Sequence, residues 1–340
     1  MKKNNVAISV IMSVYNTETD FLNVAIQSIL NQTFQNFEFI IINDGSNKEC
    51  SEALAVFKDD RIQLITNPEN YGLTKSLNIG LHRAKGKYIA RMDADDYSYP
   101  RRLERQYRYM ERHKEIDILG SWVREENKVQ KCCGSVPTRW RFTRMLFDNV
   151  GIYHPTAFIR TDFLRNNDLY YNEAFKKAQD FELWSRCLTI GRMYVFPEVL
   201  LNYRIHEGQI SSYGLSDQDY YNVCTRENLL KLLGVELDDR EKQQFMNMNN
   251  CCMTAEETES MFDKIFDINM QKEIFDHTML KYELCTKWIR YFWEADNREK
   301  KQWLKGKYAR AMFDLRYYFY MLLIAWCKQD IFHHNREKER

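Results

Sequence analysis

The sequence predicts an α/β fold, a mostly parallel sheet flanked by helices, followed by an α-helical C-terminal extension. Three observations carry that prediction. Short β-branched or apolar runs alternate with helix-period segments between residues 7 and 92, two of these runs end directly on aspartates, and all five prolines lie before residue 200. Strands separated by helices imply parallel pairing with helices on both faces.

Taken in order, residues 7–14 form a first strand closed by Tyr15 and Asn16, and residues 21–30 repeat apolar side chains at helical spacing. A second buried-type strand covers 37–42 and runs into Asn43, Asp44, Gly45 and Ser46. Residues 62–65 read as a third strand, 73–84 as a helix, 87–92 as a fourth strand and 100–113 as a further helix. After Gly214 only Gly234 and Gly306 remain, and the loss of helix breakers predicts helices joined by short polar turns. The expected division is an α/β domain over 1–210 and a helical region over 211–340.

Composition narrows the classes. Apolar residues at 44% and charged residues at 29% are ordinary for a soluble globular chain, which sets disorder and fibrous repeats aside. A net charge of +1 argues against collecting nucleic acid through a global field. Nine cysteines contain no C-x-x-C spacing, so neither a zinc ribbon nor a disulfide framework is indicated, and a reducing cytoplasm is expected. The N-terminus lacks an h-region and reads as uncleaved. The longest apolar stretch, 317–327, is 11 residues against the roughly 20 that cross a bilayer.

In parallel sheets ligands bind beyond the carboxyl ends of the strands, which directs attention to Asn16, Asp44 and the segment after Met92. There Asp93, Asp95 and Asp96 place three carboxylates within four residues. Like charges so close need compensation, and a divalent cation with oxygen ligands, Mg2+ or Mn2+, provides it when a diphosphate supplies the other ligands. The competing reading is an acidic first turn ahead of the helix at 100–113. Asp44 in Asn-Asp-Gly-Ser is by itself an ordinary turn aspartate. Two aspartate-bearing strand ends in one array could instead clamp a nucleotide.

The chain resembles the family-2 glycosyltransferases. The likeness is carried by Val10-Ile11-Met12-Ser13-Val14-Tyr15-Asn16, Gln27-Ser28-Ile29-Leu30-Asn31-Gln32-Thr33, Ile41-Ile42-Asn43-Asp44-Gly45-Ser46, Asn70-Tyr71-Gly72-Leu73-Thr74, Gly80, Gly86-Lys87-Tyr88-Ile89-Ala90 and Met92-Asp93-Ala94-Asp95-Asp96. It continues through His154-Pro155-Thr156, Gln179-Asp180-Phe181-Glu182-Leu183-Trp184 and Tyr203-Arg204-Ile205-His206, covering about residues 6–210. The resemblance implies a GT-A fold and transfer of a sugar from a nucleotide-diphosphate donor to a hydroxyl of a glycan or lipid-linked acceptor. By family habit the donor is a UDP-sugar, and the pathway cell-surface polysaccharide or lipopolysaccharide synthesis.

It also implies roles. Asp44 reads the base, with Val14, Tyr15 and Asn16 forming its pocket. Asp93, Ala94 and Asp95 form the D-x-D motif, with Asp95 a direct metal ligand, Asp93 toward ribose and metal, and Asp96 supporting. Asp180 is the general base of an inverting displacement, although Gln179 stands where the family usually has Glu, and an ordinary helix N-cap competes for it. His206 is expected as a third metal ligand, Arg204 beside the phosphates and His154 at the sugar or acceptor, against a structural reading of each histidine. Trp184, at helical spacing from Leu188, reads as core before it reads as a sugar platform. Neither the Q-x-x-R-W motif nor the membrane spans of processive synthases are present, so one or few sugars are expected per encounter.

Seven basic residues between Arg298 and Arg316 face two acidic ones, and Trp303, Leu304, Tyr308, Ala311, Met312 and Leu315 share a helical face. That pattern fits either peripheral membrane contact through 298–327, at the inner face of the membrane, or a packed terminal helix. Two functional alternatives stay open: a nucleotidyltransferase making a sugar nucleotide, and a non-catalytic binder of glycans or nucleotide sugars.

Overall fold

The computed structural model describes residues 6–125, 128–130, 137–148, 151–206, 215–246, 252–296 and 299–312. The chain forms two compact units, one from Met1–Ser135 with Gly151–Tyr221, the other from Val136–Val150 with Asn222–Arg340. The second unit therefore begins later than residue 210 and also recruits the short segment 136–150, whose aromatic side chains have their partners among the later helices.

In the first unit, β1 (Ile8–Val14), α1 (Thr19–Leu30), β2 (Phe37–Asn43), α2 (Lys48–Ala55), β3 (Ile62–Thr66), α3 (Leu73–Arg83) and β4 (Tyr88–Met92) alternate as the sequence predicts, with α2 an addition. β1 and β2 are parallel in register from Ile8↔Phe37 to Val14↔Asn43, and β1 pairs with β4 from Ile8↔Tyr88 to Met12↔Met92. These strands are almost wholly buried, which is why they read as mainly apolar runs rather than as an apolar/polar alternation. α1 sets Leu22, Ala25, Ile26 and Ile29 on one buried stripe.

The next elements are β5 (Tyr97–Ser98), α4 (Arg102–Arg112), β6 (Ile118–Glu125), β7 (Lys128–Gln130), α5 (Thr138–Met145), β8 (Phe158–Arg160), α6 (Thr161–Asn166), α7 (Gln179–Ile190) and β9 (Met193–Tyr203), with a 3-10 turn at His154–Thr156. The sheet order is β3-β2-β1-β4-β8-β6-β9-β5, with β7 on β6. Its first half is parallel. In the second half β8 runs antiparallel to both β4 and β6, β6 and β9 are parallel, and β5 runs antiparallel to β9. The α/β prediction holds, with the sheet turning mixed after β4. Pro197 falls between Phe196 and Val199, where the β6–β9 register slips, a position that tolerates a residue with no N–H to give.

Two consequences position the site. The chain steps outward from β1 to β2 and β3 and then crosses back to β4 on the other side of β1, and this reversal opens a crevice beyond the carboxyl end of β1. β5, immediately after the acidic cluster, pairs Tyr97 with Asn202, which brings the end of β9 back beside that cluster.

The second unit contains α5, α8 (Leu215–Leu233, counted here from Asn222), α9 (Asp239–Met246), α10 (Ala255–Lys272), α11 (His277–Glu294), α12 (Lys300–Lys305) and α13 (Lys307–Met312). α10 opens with a capping box between Thr254 and Glu257. α5 is tied in by the Arg144 to Glu283 ion pair at 2.9 Å and by Phe142 against Phe275.

Of the two readings of the basic segment, the packed one describes Trp303 and Tyr308. The segment is two short helices broken at Gly306, and Trp303 and Tyr308 are buried against Phe262 and Trp288, with Trp288 Nε1 donating to the Trp303 carbonyl at 3.0 Å. Core packing takes Trp303 and Tyr308 from that face and leaves Leu304 exposed beside Lys301, Lys305, Lys307 and Arg310. Arg298 and residues 313–327 lie outside the described residues. No helix among the described residues is long and apolar enough to cross a membrane.

Candidate active site

Beyond the carboxyl ends of β1, β2 and β4 lies a cleft of about 680 Å³ whose lining includes Tyr15, Asn16, Asp44, Asp93, Asp95 and His206. Asn16 has the left-handed φ of 49°, a conformation in which asparagine is tolerated better than most residues. Its Oδ1 accepts the Asn47 N–H at 2.7 Å and its own N–H donates to Ser46 Oγ at 3.2 Å, locking the two strand ends together.

Asp44 is buried, and its carboxylate organises the far wall. Oδ1 accepts from Asn67 Nδ2 at 2.7 Å and the Tyr71 N–H at 2.9 Å, and Oδ2 from the Gly72 N–H at 2.9 Å. Gly72 starts α3 with φ of 89°, open to glycine and strained for other residues, which lets its N–H reach that oxygen. Val14 does not line the cleft. Its contribution is a carbonyl that accepts the Asp44 N–H at 2.8 Å.

The acidic cluster follows β4. One ligand atom each from Asp93, Asp95 and Asp96 can be chosen so that all lie within 4.8 Å of one another. Asp95 Oδ2 is 2.9 Å from His206 Nε2, and Asp96, fully buried, accepts the Arg204 N–H at 2.9 Å. Burial raises the pKa of Asp93 and of Asp96, with neighbouring carboxylates adding and Arg91 opposing. Two buried arginines stand behind them. Arg91 pairs with Asp93, while Arg102 on α4 donates to the Arg91 carbonyl at 2.7 Å and is drawn down to about 9 by burial.

Asp93, Asp95, Asp96 and Asp180 against Arg91 and Arg102 leave a formal excess of two negative charges. Hard oxygen donors this close, and Asp96 Oδ2 buried with no partner among the described residues, suit a divalent cation. His206 reaches this group through Asp95.

Asp180 sits half-buried as the second residue of α7, whose N-cap is the left-handed Ala178 (φ 51°). Burial raises its pKa, while its hydrogen bond from the Phe181 N–H at 2.8 Å and the charge of Arg91 oppose the rise. The strap leading to it is held by α3. Asn78 exchanges hydrogen bonds with the Tyr171 backbone at 2.9 and 3.0 Å, and Thr74 Oγ1 donates to the Phe175 carbonyl at 2.7 Å. Asp180 is not part of the cleft lining, yet it acts on Asp93 electrostatically.

His154 does not line the cleft either. Its Nε2 meets Tyr171 OH at 2.7 Å, and burial holds it well below its usual pKa and therefore neutral. Arg204 stacks its guanidinium over Phe21 at 4.0 Å. Ala94 lines the cleft, and Trp184 is core. Sequence reasoning missed Arg91, Arg102, Asn67 and Tyr171. Only Arg91 left a signal, as a lone charge in an otherwise apolar strand.

These features match known proteins. The profile described as Glycosyl transferase family 2 matches residues 9–166. An uncharacterized glycosyltransferase of Haemophilus influenzae is 34% identical over 250 residues, 68% of this chain and 76% of that protein. The O-antigen biosynthesis glycosyltransferase WbnJ of Escherichia coli is 32% identical over 234 residues, 66% of this chain and 89% of WbnJ. Among solved structures, S. aureus TarS in complex with UDP-GlcNAc superposes with a TM-score of 0.59 at 18% identity, over 87% of this chain and 89% of TarS, a likeness of fold. The fold is that of a GT-A glycosyltransferase, and the chain belongs to glycosyltransferase family 2.

The Asp44 network yields a test without any ligand. Asp44→Ala removes the acceptor of the Tyr71 N–H and is expected to destabilise the fold by about 1–3 kcal/mol, read as a lower urea midpoint. An unchanged midpoint would mean that the wall stands without that carboxylate.

Proposed function

We propose that this chain transfers a hexosyl group from a UDP-sugar to a hydroxyl of a glycan or lipid-linked acceptor, with inversion, in cell-surface polysaccharide or lipopolysaccharide assembly. The observation that carries the reading is one cleft joining Asp44, beyond β2, to Asp93 and Asp95, beyond β4. WbnJ by its name, and TarS by its UDP-GlcNAc complex, support the pathway and the donor class.

In this reading Asp44 accepts a base N–H, with Tyr15 and Asn16 along the same wall. Asp95 and Asp93, with His206 beside Asp95, would hold Mg2+ or Mn2+. That ion, when bound, supplies Lewis-acid neutralisation of the departing diphosphate. Asp180 takes the proton of the acceptor hydroxyl as its oxygen bonds to the anomeric carbon. The bond from that carbon to the phosphate oxygen breaks on the opposite face, its electron pair leaving with UDP, which inverts the centre. Arg204 and His154 act through Asp96 and Tyr171, at one remove from the donor. The Lys301, Lys305, Lys307 and Arg310 surface is proposed as the meeting point with an anionic lipid-linked acceptor, by charge more than by insertion.

Three outcomes test the reading. UDP is expected to raise the melting temperature more with Mn2+ than without, and Asp95→Ala to abolish that difference; an equal shift from GDP or TDP would overturn the UDP assignment. Asp180→Asn should leave UDP binding intact and lower kcat by about 10²–10⁴-fold, so normal turnover in it would remove the base. Because burial raises the Asp180 pKa and only the carboxylate accepts a proton, kcat should fall on the acid side above the ordinary aspartate range. A profile flat down to about pH 4 would contradict this.

A further inference from the structure

Strand β4 carries a side chain to which the transfer chemistry gives no task. Arg91 stands between Ala90 and Met92 on a strand buried throughout and is 3% exposed. Its chamber is walled by Ile11, Leu77, Leu81, Ile159 and Leu183, with Tyr171 beside them. Placing a guanidinium in such surroundings costs several kcal/mol unless opposite charge compensates it. Among the described residues its ion pair is with Asp93 alone, a charge contact through Nη1, and neither Nη1 nor Nε has a partner in hydrogen-bond geometry.

The backbone leaves Arg91 little freedom. Its N–H donates to the Ala157 carbonyl at 2.9 Å and its carbonyl accepts from Arg102 Nη2 at 2.7 Å. Asp93 is thus gripped from the protein side by a fixed cation, while its remaining surface opens into the cleft, where its side chain is 29% exposed. Arg91 does not line that cleft. It touches the acidic cluster from behind, at the one carboxylate that begins it.

We propose that Arg91 is a positioning residue for the donor site: its guanidinium fixes the orientation of the Asp93 carboxylate so that the free edge of that carboxylate is presented to the divalent cation, without Arg91 contacting cation or donor itself. This rests on the donor assignment made above. A planar fork on a long apolar stem suits the task, since the stem crosses the hydrophobic chamber and the head meets one carboxylate in a set direction. Residues behind a metal ligand typically act through orientation, and their loss costs about 10–100-fold in metal affinity or activity.

The test is UDP binding by calorimetry in Mn2+ and in EDTA, on the full chain, Arg91→Met and Arg91→Lys, with urea unfolding of each. Methionine fills the apolar chamber, so the fold is expected to survive. UDP affinity in Mn2+ should fall about 10–100-fold, while affinity in EDTA stays that of the unaltered chain. Arg91→Lys, which keeps the charge without the fork, should fall between. A purely structural role would lower both affinities in parallel with the unfolding midpoint, and that result overturns the proposal. So does full Mn2+ dependence retained in Arg91→Met. If Arg91→Met does not fold, the same comparison on Arg91→Lys decides: selective loss of the Mn2+-dependent part supports the proposal, and unchanged dependence overturns it. An unaltered chain that binds UDP equally in Mn2+ and EDTA overturns the donor assignment, and this proposal with it; a retained dependence in the variants overturns this proposal alone.

Discussion

The crowding of carboxylates at the end of β4 is the constraint on which the rest of the first unit turns. Asp93, Asp95 and Asp96 come from one short stretch, and α7 delivers Asp180 near enough to act on Asp93. Unbalanced negative charge in a water-poor place pushes protons onto carboxyl groups and so removes the property that makes them useful. Arg91 and Arg102, both buried, oppose that tendency from below, one by an ion pair with Asp93 and the other through the field it exerts on Asp96 and Asp93. The arrangement stops short of full neutralisation, and the charge left over faces the cleft.

The sheet supplies the geometry for that crowding. Parallel pairing of β1 with β2 and β4 ends three strands in step, so Asn16, Asp44 and Asp93 emerge along one edge. The later antiparallel strands look like a departure from this plan, yet they close it. The two residues of β5 pair with β9 and return Arg204 and His206 to the acidic cluster more than a hundred positions after the chain left it.

How much of this the sequence discloses depends on whether the signal is local. The first four strands and their helices follow from β-branched runs and helical periodicity, and the aspartates at strand ends follow from the rule that such sheets bind ligands there. Asp44, Asp93 and Asp95 were legible for that reason. The parts of Asn67 and Tyr71 were not, because they depend on where the Asn67 side-chain amide and the Tyr71 backbone N–H point around Asp44, which no pattern encodes. Antiparallel β8 is three residues long, too short to announce itself. The basic terminal segment misleads for a related reason: an apolar face at helical spacing looks the same whether lipid or Trp288 covers it. Arg91 was visible as a letter in the sequence, but its meaning required seeing that no water reaches it.

Helix α3 touches both halves of the reaction centre. Its first residue is preceded by the glycine whose N–H serves Asp44, and Thr74 in the first turn with Asn78 in the second hold the strap that ends at Asp180. A helix of 11 residues, about three turns, is stiff on this scale. In the function proposed above, base recognition by Asp44 and proton abstraction by Asp180 share this common beam, so a substitution that displaces α3 is felt at both.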